Sequence, residues 1–240
     1  MSASKTLVMI PTYNEADNIA ALIAAILGLG LDGLEVVVVD DQSPDGTAGI
    51  VEGIAGRDRR VKLLSRAGPA GRGWAGRDGF LYGLEGGAHF LVEMDGDFSH
   101  QPKHIPALLA AMSDCDLAIG SRLVPGGSDW DRPIFRRWLT LAANAYARLL
   151  LRLPVGDTNS GFRCFSRRAL EAVRPATLRS RGPAILHETL YRARRAGLRF
   201  KEVPIEFIDR KKGDSKLDLS RLAAGYLTVL KIAIIGDRSG

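Results

Sequence analysis

Apolar runs alternate with helix-like stretches through the first half of the chain, and this alternation restricts the fold more than any other feature. Buried strands are predicted at residues 6–10, 35–40, 61–65, 90–94 and 117–120, with helices at 16–27, 47–55, 74–86 and 102–112 between them. Val36 to Val39 form an unbroken valine run, which suits a strand covered on both faces. Repeated strand–helix–strand units build an open, mostly parallel sheet with helices on both faces. Ligands of such sheets sit outside the carboxyl ends of the strands.

The second half is less regular. A helix over 133–151 precedes a Gly/Asp loop at 156–161. A strand near 162–165, a helix near 185–196 and a strand near 200–207 follow, then a basic loop and an apolar helix near 219–235. No repeat or Pro/Gly/Ser-rich linker divides the 240 residues, so one α/β domain with a helical tail is expected. Met1 to Lys5 lead straight into an apolar strand, so no signal peptide is expected. The last apolar stretch, interrupted by Lys231, is too short to span a bilayer. The net charge of +6 fits nucleic acid, an anionic membrane or phosphorylated substrates, or nothing beyond a basic surface. Cys115 and Cys164 read as free, buried thiols, with a disulfide left open.

Asp95-Gly96-Asp97 ends the fourth predicted strand. Two acids this close repel unless a cation lies between them. Hard carboxylate oxygens suit Mg²⁺ or Mn²⁺, which commonly take one or two protein carboxylates plus substrate phosphates. On a surface loop the same pattern is ordinarily solvated charge; its place after the apolar FLVEM run selects the metal reading. His100 and His104 offer too few ligands for zinc. They are expected to be a loop residue near the metal and a first-turn surface residue.

Other stretches gather at the same strand ends. Pro11-Thr12-Tyr13-Asn14-Glu15 follows the first strand; Asn14 or Asp17 can cap the next helix, and Tyr13 and Glu15 suit a planar base. Asp40-Asp41 offers acceptors for a base or ribose. Gly71-Arg72-Gly73-Trp74-Ala75-Gly76 fits the dinucleotide pattern G-x-G-x-x-G. It lies five residues beyond its strand and in the third unit, so a Gly-rich loop beside a diphosphate fits better. On the helix over 133–151, Arg136, Thr140 and Asn144 share one polar face, continued by Arg148. Trp138, Leu139, Leu141, Ala142, Tyr146, Leu149 and Leu150 lie opposite, an amphipathic pattern suited to guiding a lipid-linked phosphate. Asp209 to Lys216 form a basic loop able to close over a diphosphate.

In order, IPTYNEADNI, VVVVDDQSPDGT, VEMDGDFSHQP, IGSRLVPGG, DTNSGFRCF and VPIEFIDRKKGDSK resemble the motifs of family 2 glycosyltransferases with the GT-A fold, most closely the dolichol- and polyprenol-phosphate mannosyltransferases. The ordered set, with SPDGT and F-x-D-R-x-x-G-x-S-K, is far more specific than D-x-D alone. The resemblance implies an inverting transfer of mannose from GDP-mannose to a dolichyl or polyprenyl phosphate, with Mg²⁺ or Mn²⁺ as cofactor and no nucleic acid partner. It implies that Pro11, Tyr13, Glu15, Asp40 and Asp41 hold the nucleotide, and that Arg210 and Lys216 close on the donor. Asp95 and Asp97 correspond to the metal and diphosphate site, with Ser99 as the adjacent ligand. Arg122, Arg136 and Thr140 correspond to residues that receive the acceptor phosphate; Asp95, Asp97, Arg122 and Arg136 are the catalytic set.

The catalytic domain is then residues 1–216, with 217–240 as an amphipathic interfacial helix and no transmembrane domain. Many members of the family carry paired C-terminal membrane spans. Peripheral docking at the cytoplasmic face of the membrane, or a membrane-anchor protein partner, is expected instead. Arg77-Asp78 stands where small or apolar residues are usual in the family, which opens UDP-glucose or another donor. An NAD-dependent oxidoreductase and a non-catalytic nucleotide-sugar-binding module are the readings of other classes. A phosphate monoester is largely a dianion at neutral pH, so the implied acceptor needs no histidine base. Asp157 is expected to fix loop geometry or an arginine.

Overall fold

Val36 to Val39 send alternate side chains into two separate cores. Val36 and Val38 pack with Val8 and Ile10 on one side, Val37 and Val39 with Leu7 and Met9 on the other. The computed structural model describes residues 4–129, 133–208 and 227–234. Its strands are β1 (Thr6–Thr12), β2 (Leu34–Asp40), β3 (Val61–Ser65), β4 (Phe90–Glu93), β5 (Leu117–Ser121), β6 (Arg163–Ser166) and β7 (Phe200–Pro204). The helices are α1 (Ala16–Leu27), α2 (Thr47–Ala55), α3 (Arg72–Glu85), α4 (Ile105–Ala111), α5 (Ile134–Leu151), α6 (Arg167–Val173) and α7 (Ile185–Arg195).

The strands form one sheet in the order β3-β2-β1-β4-β6-β5-β7. β6 runs antiparallel to both β4 and β5; the remaining pairings are parallel. Helices α1, α2 and α4 cover the face bearing Val8 and Val36. Helices α3, α5, α6 and α7 cover the other, joined by Val229 from a helical segment over 227–234. Strand ends 40, 65 and 93–97 therefore open on one edge, as the alternation requires.

The Gly-rich stretch is a packing device. Helix α3 begins inside it, at Arg72. A Cβ on Gly79 would press on Met9 and one on Gly83 on Leu91, so missing side chains let α3 lie close to the sheet. The mixed sheet departs from a uniform parallel one at β6, whose flanking DTNSG turn reverses the chain. Helix α6 was not among the expected elements; its seven residues open on Ser166, whose hydroxyl caps the Ala169 N–H at 3.1 Å. Cys115 and Cys164 are both free and buried.

Candidate active site

Two loops at the first strand ends are stitched together by short polar side chains. Thr12 and Ser43 hydroxyls donate to Asp40 Oδ1 at 3.0 and 2.6 Å, and the Ser43 N–H donates to Oδ2 at 2.9 Å. The Ser43 hydroxyl accepts the Asn14 N–H, and Thr47 accepts that of Glu15. Neither Asn14 nor Asp17 caps α1. Asp45, from the SPDGT stretch, accepts the Ala16 N–H at 2.9 Å and bonds Thr47. Burial alone would raise the Asp45 carboxyl; these hydrogen bonds outweigh it and hold it below the usual range. Pro11, half-exposed Tyr13 and Glu15 stand on this framework.

Asp41 points elsewhere. It pairs with the buried Arg66 guanidinium and accepts the Gly71 N–H, while Arg66 reaches Asp78 at 2.7 Å and the Pro69 carbonyl at 3.1 Å. Asp41 thus fastens the loop between β3 and α3 to the end of β2.

The D-x-D segment follows β4. A Cβ on Gly96 would lie 3.2 Å from Glu15 Cγ, so glycine brings this turn against the first loop. The Ser99 N–H donates to Asp97 Oδ1 at 3.0 Å. His100 is buried: its Nδ1 accepts the Asp95 N–H at 3.1 Å and its ring stacks on Phe162. Burial lowers its pKa against the pull of Asp95 and Asp97, so it serves as a neutral prop for the turn. His104 accepts the Glu206 N–H, away from the acids.

Three residues that carried no expectation surround these acids. Arg72 pairs with Asp95 and lies 3.4 Å from Glu93. Glu93 is buried, and burial raises its pKa despite Arg72 and Arg163. Arg163 is wholly buried and donates to the Ser160, Leu186 and Thr158 carbonyls at 2.7–3.0 Å. Burial pushes its pKa down to about 10. For Arg72 the sequence signal was an arginine between two glycines, Gly71 and Gly73, at the entry to α3.

Opposite lies Arg122, just past β5. Its Nε and Nη2 each donate to buried Asp157 at 2.7 Å, its backbone N–H at 3.0 Å, and its guanidinium lies over the Phe207 ring. Asn144 of α5 accepts from Thr158 and Asn159, tying the DTNSG loop to the helix. Asn144 is therefore buried, Arg136 and Thr140 are half-buried, and Arg148, the last member of that polar face, is exposed. Ile134, Phe135, Trp138, Leu141 and Leu149 face outward, Trp138 68% exposed. The Ile208 N–H donates to the Ser99 carbonyl at 3.2 Å. Arg210 and Lys216, and the helix expected over 217–240 except for 227–234, lie outside the described residues.

No group of three or more His, Cys, Asp or Glu side chains converges on a metal position among the described residues. The donor set still suits a hard divalent ion, because Mg²⁺ and Mn²⁺ sites complete their shells with water and phosphate oxygens.

A mixed seven-stranded sheet with acids at its inner strand ends is the architecture of the GT-A class. Solved structures agree on the fold. Glucosyl-3-phosphoglycerate synthase from Mycobacterium tuberculosis, in complex with Mn²⁺, UDP-glucose and phosphoglyceric acid, superposes with a TM-score of 0.72 at 19% identity. That match covers 99% of this chain and 82% of that one. Mannosyl-3-phosphoglycerate synthase from Rubrobacter xylanophilus gives 0.66 at 16% identity, covering 99% and 76%.

The Glycosyl transferase family 2 profile matches residues 7–174. An undecaprenyl-phosphate mannosyltransferase of Micrococcus luteus is 38% identical over 89% of this chain and 87% of its own length. A polyprenol monophosphomannose synthase of Mycolicibacterium smegmatis is 38% identical over 97% and 88%. The chain belongs to glycosyl transferase family 2, and it is a glycosyltransferase.

Proposed function

We propose that the chain transfers mannose from GDP-mannose to a polyprenyl phosphate, with inversion at the anomeric carbon. The observation that carries this reading is the two-sided α5. Arg136 and Thr140 are half-buried on it, Asn144 ties it to the loop whose Asp157 locks Arg122, and Phe135, Trp138 and Leu149 stand exposed on it. A phosphate headgroup reaching the half-buried residues and a prenyl tail along the exposed ones satisfy both. The names of the two 38% identical relatives support the acceptor class and the sugar.

In this account Tyr13, Glu15 and Asp40 hold the nucleoside, while Asp41 keeps the β3–α3 loop in place. Asp95, Asp97 and Ser99 hold a Mg²⁺ or Mn²⁺ ion, which neutralises charge on the leaving diphosphate when bound. Arg122 and Arg136 orient the acceptor phosphate, and Asp157 stops Arg122 from swinging out. A phosphate oxygen forms the bond to the anomeric carbon as the bond to the diphosphate oxygen breaks, and GDP leaves with the electron pair. The dianion needs no proton removed, consistent with a buried, neutral His100. Orientation is the main catalytic task.

The catalytic domain is assigned to residues 1–216, and the described helical segment over 227–234 to the membrane-facing part that follows it. The protein docks peripherally on the cytoplasmic face of the membrane, through α5 or with an anchor protein. No helix among the described residues is long and apolar enough to cross a bilayer. Incubating purified protein with Mn²⁺, a polyprenyl phosphate and a panel of labelled nucleotide sugars tests the reading. Label from GDP-mannose in the lipid fraction is the expected result; label from UDP-glucose alone would replace the donor, and no lipid label from any donor would overturn the assignment.

A further inference from the structure

The repulsion between Asp95 and Asp97 already has an answer within the chain. Arg72, the first residue of α3, extends its guanidinium to Asp95 and lies beside Glu93. The approach is built by glycines on two sides. Gly71 has a φ of +144° and a Cβ there would strike the Arg181 carbonyl; one on Gly73 would collide with Ser180. A Cβ on Gly161, in the DTNSG loop, would meet Arg72 Nη2 at 2.5 Å. Arg72 Nε is buried with no hydrogen-bond partner, so the side chain is held at Asp95 by charge and has a donor to spare.

We propose that Arg72 is a resident cation that competes with the divalent ion for Asp95, and that it sets metal affinity and couples it to the donor. The inference rests on the metal reading of Asp95 and Asp97. A guanidinium and a divalent ion sharing one carboxylate repel strongly in a partly buried site. Metal alone must therefore displace Arg72 at a cost. When a diphosphate arrives with the metal, the displaced guanidinium has a new anion to bind, and the cost is recovered. Arg72 is thus a positioning residue that makes metal and nucleotide bind together.

Mn²⁺ binding to the full chain, followed by the paramagnetic resonance signal of free Mn²⁺, tests this with and without GDP. Arg72→Gln is expected to bind Mn²⁺ alone about tenfold more tightly than wild type, or more. GDP is expected to tighten Mn²⁺ binding by a larger factor in wild type than in the variant. Gly161→Ala, which pushes the guanidinium away while keeping the arginine, is expected to shift Mn²⁺ affinity in the same direction. It stands as the second test if Arg72→Gln does not fold. Equal or weaker Mn²⁺ binding by folded Arg72→Gln, while both proteins bind the ion, overturns the role of Arg72 alone. No Mn²⁺ binding by either protein, with or without GDP, overturns this proposal together with the metal reading.

Discussion

Arg122 and Asp157 meet through two parallel 2.7 Å hydrogen bonds, with the Asp157 side chain wholly buried. Burial alone would raise the Asp157 carboxyl; the hydrogen bonds and charge of Arg122 outweigh it and hold the pKa below the usual range. Removing one partner of such a pair strands the other charge. Asp157→Ala is expected to cost about 3 kcal/mol of unfolding free energy and to lower transfer, as measured by denaturant titration and turnover. The pH signature is specific. A depressed carboxyl stabilises fully above its unfolded value of about 3.9 and loses that stability as pH falls through the folded value. Wild type should therefore lose stability on acidification below about pH 4 more steeply than Asp157→Ala.

Arg136, half-buried on α5, is the proposed contact of the acceptor phosphate. Arg136→Ala is expected to raise the acceptor KM or lower kcat by about tenfold or more, the value of a charged hydrogen bond. Donor affinity, followed by GDP titration, should stay unchanged. A change in donor affinity alone would move Arg136 to the other side of the reaction.

The outer face of α5 bears Phe135 and Trp138, both about two-thirds exposed. Burying each in an interface is worth about 1.5–3 kcal/mol. The double variant Phe135→Glu/Trp138→Glu is expected to lose co-sedimentation with anionic lipid vesicles by at least about 100-fold while melting as wild type does. Undiminished vesicle binding would exclude this face as the docking surface.

His187 lies buried on α7 with neither ring nitrogen hydrogen bonded. Burial, then the charge of Arg163, pushes its pKa down to about 4. Between an unfolded value near 6.5 and that folded value, the unfolded chain binds the extra proton. Stability is complete above about pH 6.5 and falls by about 3 kcal/mol on the way to pH 4. His187→Leu is expected to flatten this limb and to be no less stable at neutral pH; an unchanged acid limb would contradict the account.

Strand positions and their opening edge were legible because covered parallel strands leave unbroken apolar runs such as Val36 to Val39. The D-x-D turn was legible because its acids follow such a run. Asn144 read as sharing a polar face with Arg136 and Thr140; its burial was not legible, since its partners Thr158 and Asn159 come from a loop that periodicity does not connect to α5. Asp41 read as a nucleotide acceptor, and its pairing with Arg66, twenty-five residues away, was not foreseen. Arg72 was hidden by its glycines, which suggested a loose loop where the chain instead packs an arginine against an acid. Each of these unforeseen contacts is long-range and polar, the kind of information that local spacing does not carry.

Asp95 and Asp97 are proposed to anchor the cation that serves the departing diphosphate. Asp97→Asn, nearly the same size and without the charge, addresses it directly when mannose transfer from labelled GDP-mannose into polyprenyl phosphate is measured in Mn²⁺. A fall in kcat of about 100-fold or more, with an unchanged melting temperature, is expected. Near-normal turnover by that variant would contradict it.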